Sequence, residues 1–283
     1  MIDFNKIDKK YLLLICWLII ITILLFVQSY FQFASFFDKN EAKLELSPSD
    51  KLLEDNIKVE EKIFGYSVKN RPISGYEIGS GANAVLLIGG IHGNEHSSVI
   101  LLNKLISEIK NNPNVVSKNK KIIIIPDTNP DGSEFLQKFN ANGVNLNLNF
   151  DTPGWKNYGP LGTYAGPEPF SEVESRIIKQ IVQEYNPQML ISFHGAGALV
   201  TPEEETSSKA LARWYAQKTG YTYYDTAASI ADNLNWDFPG TATRWFTENN
   251  KKPSITVELT TLSQSDWDIN KPAIMDIISQ DNI

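Results

Sequence analysis

Hydrophobic and polar positions divide the chain into three stretches of different character. Tyr11–Val27, "YLLLICWLIIITILLFV", is apolar and uncharged throughout, and "QSYFQFASFF" carries it on without a charge to Phe37. A helix over Tyr11–Val27 would reach about 26 Å, near the hydrocarbon thickness of a bilayer. Lys6, Lys9 and Lys10 precede the run, and the next charge after it is Asp38. The lysine bias predicts a cytoplasmic N-terminus over 1–10 and a single-pass transmembrane signal-anchor over 11–37, with the rest of the chain outside the cytoplasm. A cleaved signal peptide ending near "FAS" is the competing reading, and a buried core helix the plainer one. Residues 38–60 are polar and weakly periodic, which predicts a stalk or linker.

From residue 61 to residue 283 the pattern alternates between strand and helix. "KIFGYSVKNRPISGYEIGSG" predicts a hairpin turning at "KNRP". "NAVLLIGG", "KKIIIIP", "QMLISFHG" and "PSITVEL" predict buried strands. "SSVILLNKLISEIKNN" and "SSKALARWYAQKTG" have helical spacing, ended by Pro113 and Gly220. "SEVESRIIKQIVQEY" predicts a third helix opened by Ser171 and Glu174 at capping-box spacing. Strands alternating with helices predict an α/β domain: a mixed, mostly parallel central sheet covered by helices on both faces. Chemistry in such sheets gathers beyond the carboxyl ends of the strands. His92, Asn129, His194 and Glu258 all fall there.

Composition narrows the function classes. A net charge of −7 and only four arginines, Arg71, Arg176, Arg213 and Arg244, leave no basic footprint, so no nucleic-acid partner is expected. The single cysteine, Cys16, lies in the apolar run, which removes disulfides and cysteine metal sites from the remaining chain.

The three histidines are unevenly spent. His92 and His96 flank Glu95 in "LLIGGIHGNEHSS", and His194 closes the similar "MLISFHGAG". An imidazole and a carboxylate in one tight turn can share a cation, and a second imidazole from a later strand end completes a His2Glu set. Catalytic zinc takes three nitrogen and oxygen ligands of this kind and keeps a position open. His92, Glu95 and His194 are therefore the candidate ligands for one Zn2+, with His96 on the helix face or behind them. Alone, Glu258 reads as a strand-end carboxylate facing solvent.

The order of the segments adds to this. "HGNE", "NPDG" at 129–132, "NANGVNLNLNF" at 140–150, "PFSEVES" at 169–175, "FHGAG" at 193–197 and "SITVELTT" at 254–261 together resemble the zinc carboxypeptidase superfamily, in particular its bacterial murein-peptide amidases and D,L-carboxypeptidases. The resemblance covers about residues 61–262. It implies a zinc-dependent hydrolase of peptide bonds, with peptidoglycan stem peptides as the substrate class. His92, Glu95 and His194 match the family's zinc ligands, and Glu258 its catalytic glutamate.

Three positions depart from the family pattern. Where the family has Asn-Arg, this chain has Asn147 and Leu148, and leucine cannot fork onto a carboxylate. Lys138 aligns with the arginine that faces the developing oxyanion. Asn145 stands in place of an aspartate that orients a zinc histidine. Arg244, in "GTATRW", is the candidate to replace the missing grip on substrate. An N-acyl amino-acid deacylase, or a wall-binding module that has lost turnover, are the alternatives these departures leave open.

Overall fold

The computed structural model describes residues 57–159, 162–225 and 238–281, and in the N-terminal region only 21, 22, 27 and 28. The chain divides into two units, Met1–Asp55 and Asn56–Ile283. The second is built on an eight-stranded sheet in the order β1-β2-β4-β3-β5-β8-β6-β7. Its strands are β1 (Val59–Tyr66), β2 (Pro72–Ile78), β3 (Asn83–Ile88), β4 (Lys120–Ile125), β5 (Met189–His194), β6 (Leu199–Pro202), β7 (Thr222–Tyr223) and β8 (Ser254–Glu258). The four central strands β4-β3-β5-β8 are mutually parallel. Antiparallel pairings join β1 to β2, β2 to β4 and β6 to β8. The expected mixed, mostly parallel sheet is the one found.

Helices cover both faces: α1 (His96–Asn111), the short α2 (Pro130–Glu134), α3 (Val173–Tyr185), α4 (Thr206–Thr219), α5 (Ala242–Asn250) and α6 (Trp267–Ser279). Central strands buried on both sides need apolar residues at every position, and alternate residues join opposite cores. Val85 and Leu87 of β3 pack with α1, α4 and α6, while Leu86 and Ile88 pack with α3 and α5. On β5 and β8 the second face turns polar, because Ser192, His194, Thr256 and Glu258 replace aliphatic side chains there. This swap on one face of two neighbouring strands creates the site.

Two sequence expectations are corrected. Among the described residues no helix is long and apolar enough to cross a membrane. The longest described, α1, has 16 residues and presents one apolar face to the sheet, so it is a core-packing helix. The segment expected to span, 11–37, lies outside the described residues apart from 21, 22, 27 and 28. The transmembrane helix, and the single-pass placement with a cytoplasmic N-terminus that depended on it, are therefore not supported. The capping box is also absent. Glu172 is the N-cap of α3 and makes no side-chain cap bond. Tertiary partners take both predicted groups: Ser171 Oγ donates to Glu172 and accepts from Asn149, while Glu174 accepts from the Val68 N–H and from Asn140.

Candidate active site

Four strand ends supply the site. Past β3 the chain makes a tight turn through Gly89–Glu95 into α1, and past β4 another through 126–129 into α2. The turns lie so close that a Cβ on Gly93 would stand 2.1 Å from the Gly132 carbonyl carbon, so only glycine fits. His194 and Glu258 are the last residues of β5 and β8 and are register partners.

The structure brings His92, Glu95 and His194 together, with one ligand atom from each all within 4.8 Å of one another. All three are buried. Glu95 holds its two oxygens toward different rings: Oε1 lies 2.8 Å from His92 Nδ1 and Oε2 2.9 Å from His194 Nδ1. Oε2 also accepts the Gly195 N–H. The rings are at 5.0 Å between centroids.

Hydrogen bonds behind the rings fix which nitrogens face the cluster. Asn145 Oδ1 accepts the Asn147 N–H at 3.1 Å, so it is the amide oxygen that meets His92 Nε2 at 2.9 Å. His92 therefore carries its proton on Nε2 and turns the Nδ1 lone pair toward Glu95. Ser192 Oγ meets His194 Nε2 at 3.1 Å, a contact that a hydroxyl makes as donor or as acceptor, and His194 Nδ1 faces inward toward Glu95. Two imidazole nitrogens and a carboxylate this close need positive charge among them, from a ring proton or from a bound cation. Donor atoms of one tetrahedral zinc stand about 3.4 Å apart, close to the spacing seen, and the mixed nitrogen and oxygen set suits that ion. The residues fit one Zn2+.

Electrostatics agree. Burial lowers the His92 pKa against the pull of Glu95. For His194 burial acts the same way, but the Glu95 charge and hydrogen bond prevail and its pKa is raised. Burial works to raise Glu95, yet the two imidazoles hold it well below the carboxylate range. Burial pushes Glu258 up to about 7, opposed by His194 and Lys138 and reinforced by Glu95. Its neighbour Gly197 makes room for it: a Cβ there would meet the Glu258 Cβ at 2.6 Å.

The remaining candidates separate. Lys138 is exposed on the loop after α2, and its charge acts on His92, His194 and Glu258 together. Asn147 Oδ1 accepts from the Ala242 N–H at the start of α5, which leaves its NH2 as the available donor. Leu148 is 4% exposed and sits in the core, its carbonyl accepting from the Trp155 indole, so it does not take part in the site. Arg244 is in the first turn of α5, bonded through Nε to Glu248 at 3.1 Å. His96 opens α1 and faces the Ser133 carbonyl at 3.2 Å, outside the cluster. Sequence reasoning overlooked Ser192, Thr243, Thr256 and Glu203. The first and third could have been found from their place two residues before His194 and Glu258; the others have no sequence signal.

A sequence profile of the zinc carboxypeptidases matches residues 52–266. The chain belongs to this family. It is thereby a zinc-dependent metallopeptidase-family hydrolase, and zinc is its cofactor. Murein peptide amidase A of Escherichia coli (strain K12) is 25% identical over 193 residues, covering 64% of this chain and 73% of that one. Carboxypeptidase A2 of Rattus norvegicus is 28% identical over 179 residues, covering 53% of this chain and 43% of that one. Among solved structures, murein-tripeptide amidase of Escherichia coli O157 shares the fold with a TM-score of 0.60 at 20% identity, over 79% of this chain and 93% of that one.

Proposed function

We propose that this family member hydrolyses an amide bond in a peptide of the peptidoglycan stem, with His92, Glu95 and His194 as the zinc ligands and Glu258 as the general base. The convergence of two imidazoles and a carboxylate beside Glu258, paired in register with His194, carries the reading. Murein peptide amidases among the relatives support the substrate class.

Zinc, when bound, polarises the substrate carbonyl and lowers the pKa of water to near 7. Glu258 takes a proton from the attacking water and delivers it to the leaving nitrogen. Its raised pKa suits both halves of the task, since it is neither too weak to accept a proton nor too strong to return it. Lys138 supplies a positive charge for the oxygen that gains charge as the carbonyl is attacked. Asn147 offers its NH2, and Arg244 its guanidinium, to the carboxylate of the residue beyond the scissile bond. With Leu148 in the core, that grip is weaker than a forked arginine would give.

The test incubates the zinc-loaded full-length chain with purified muropeptides and, separately, with N-acyl amino acids, and reads products by mass spectrometry. Cleavage of the muropeptides that Glu258→Gln abolishes supports the proposal. Cleavage of N-acyl amino acids alone identifies a deacylase, and turnover unchanged in Glu258→Gln removes the assigned base.

A further inference from the structure

The strand that ends in Glu258 runs on into a segment bonded to the other parts of the site. The Leu259 N–H donates to the His194 carbonyl at 3.0 Å, and the Leu259 carbonyl accepts the N–H groups of Gly197 and Ala198. Further on, the Leu262 carbonyl accepts at 2.8 Å from the N–H of Ser97, which follows Glu95 closely in the chain. Gly195 leaves room for the same segment, since a Cβ there would meet the Thr261 carbonyl oxygen at 3.1 Å. The backbone of Leu259–Leu262 thus joins the residue proposed as base to the segments that carry His194 and Glu95.

Asp266 anchors this segment. It is the N-cap residue of α6, a position where an aspartate ordinarily accepts from the first turn of its own helix. It makes no such bond. Its Oδ2 accepts the Thr260 N–H at 2.6 Å and the Tyr221 hydroxyl at 2.5 Å instead. The Asp266 backbone is left-handed, at φ 46°, a conformation unfavourable to any residue with a Cβ. An uncapped start and a left-handed aspartate both weaken α6; what they secure is the bond to Thr260.

Behind Asp266 stands a buried polar chain. Asn270 donates to the Tyr221 hydroxyl and to the Asp266 carbonyl, each at 3.0 Å, and accepts the Tyr215 hydroxyl at 2.8 Å. Tyr215 and Asn270 are fully buried, and Tyr215 belongs to the core between α4 and α6. Polar groups in such a place must all be satisfied, and a satisfied network rigidifies what it holds. Through Asp266, this one holds the Thr260 amide.

We propose that Asp266 is a positioning residue, which fixes Leu259–Leu262 so that Glu258 and the candidate ligands His194 and Glu95 keep one frame. Its effect on turnover rests on the reading above, in which Glu258 is the base. Its effect on the metal cluster depends on no substrate.

The test compares the full-length wild type with Asp266→Gly, Asp266→Asn and Tyr221→Phe. Glycine accepts the left-handed backbone but removes the acceptor. Asparagine keeps an amide oxygen with two lone pairs for the same two donors. Competition with a chelator reads zinc affinity; kcat and KM are measured on purified muropeptides at saturating zinc. Asp266→Gly should lower zinc affinity by about 10-fold. It should also lower kcat by about 100-fold, the scale of a small misplacement of the base, with KM within about twofold. Asp266→Asn should stay within about threefold of the wild type throughout. Equal losses in the glycine and asparagine variants, or a folded Asp266→Gly with wild-type kcat and zinc affinity, overturn the proposal. Tyr221→Phe withdraws one donor from Asp266 and leaves the backbone untouched, which keeps the idea testable if the glycine variant does not fold. Zinc affinity should then fall by about fivefold, and an unchanged affinity overturns the proposal. If the wild type cleaves no muropeptide, the peptide-hydrolase reading fails while zinc affinity still decides the role of Asp266: a loss in the glycine variant that asparagine restores upholds it, and an unchanged value overturns it.

Discussion

Replacing Asn145 by alanine removes two hydrogen bonds from one loop, and the zinc cluster should register the loss directly. Asn145 Oδ1 accepts from His92 Nε2 at 2.9 Å and from the Asn147 N–H at 3.1 Å. The first bond fixes the tautomer that turns Nδ1 toward the cluster; the second caps the short turn Leu146–Leu148. Partners behind a metal ligand are worth about 10- to 100-fold in metal affinity, or roughly 1.4 to 2.8 kcal/mol. Asn145 is neutral, so the lower half of that range, about 10- to 30-fold, is expected here. The cap adds a separate fold-stability loss of about 1 kcal/mol. Competition with a chelator of known affinity gives the zinc dissociation constant, and denaturant unfolding of the zinc-free chain gives the second quantity. Asn145→Asp should bind zinc at least as tightly as the wild type, because a carboxylate makes a charge-assisted bond to the same ring nitrogen. Zinc affinity within twofold of wild type in Asn145→Ala would refute the orientation argument. So would equal losses in the alanine and aspartate variants, since that would mean bulk disturbance of the loop.

Other expectations concern different parts of the domain. Gly197→Ala places a methyl 2.6 Å from the Glu258 Cβ; if Glu258 is the proposed base, its displacement should lower kcat by about 100-fold while zinc content, measured by atomic absorption, stays at one per chain. Leu148→Arg should not restore a grip on substrate. Leu148 is buried and its Cδ1 would lie 2.5 Å from a Cβ at Gly159, so an arginine there should destabilise the fold by about 3 kcal/mol in a denaturant melt. Part of the pH dependence of the zinc-free chain, beside the share of Glu258, comes from Glu203, whose carboxyl burial pushes up to about 7 against the Thr243 hydroxyl and the Arg244 charge. Its raised pKa means that the folded chain binds more protons than the unfolded one between pH about 4.5 and about 7, so this group's stabilisation falls as pH rises through that window. Glu203→Gln should flatten that slope; an identical stability profile in the variant would mean that Glu203 is well solvated.

Much of this protein is legible in its order of residues. Apolar runs bounded by Gly and Pro mark β3, β4, β5 and β8, since a strand buried on both faces admits nothing else. The spacing of His92, Glu95, His194 and Glu258 against those runs places all four at carboxyl ends of parallel strands. What the order could not supply is partnership across distance. Ser171 and Glu174 fit a local cap, yet Asn149, Val68 and Asn140 engage them once the sheet is assembled. The apolar segment at 11–37 suggested a span from hydropathy alone, and no described helix meets that requirement. Leu148 looks like a lost binding residue until its burial shows that it packs the core. Glu203 carries no motif and lies 55 positions before Glu258, but antiparallel β6 and β8 and a helix start bring it to the Thr243 hydroxyl, itself 3.3 Å from Thr256 on the strand that ends in Glu258. Periodicity is local and can be read along a chain. The company a side chain keeps is set by strand order and register, which only the folded sheet determines.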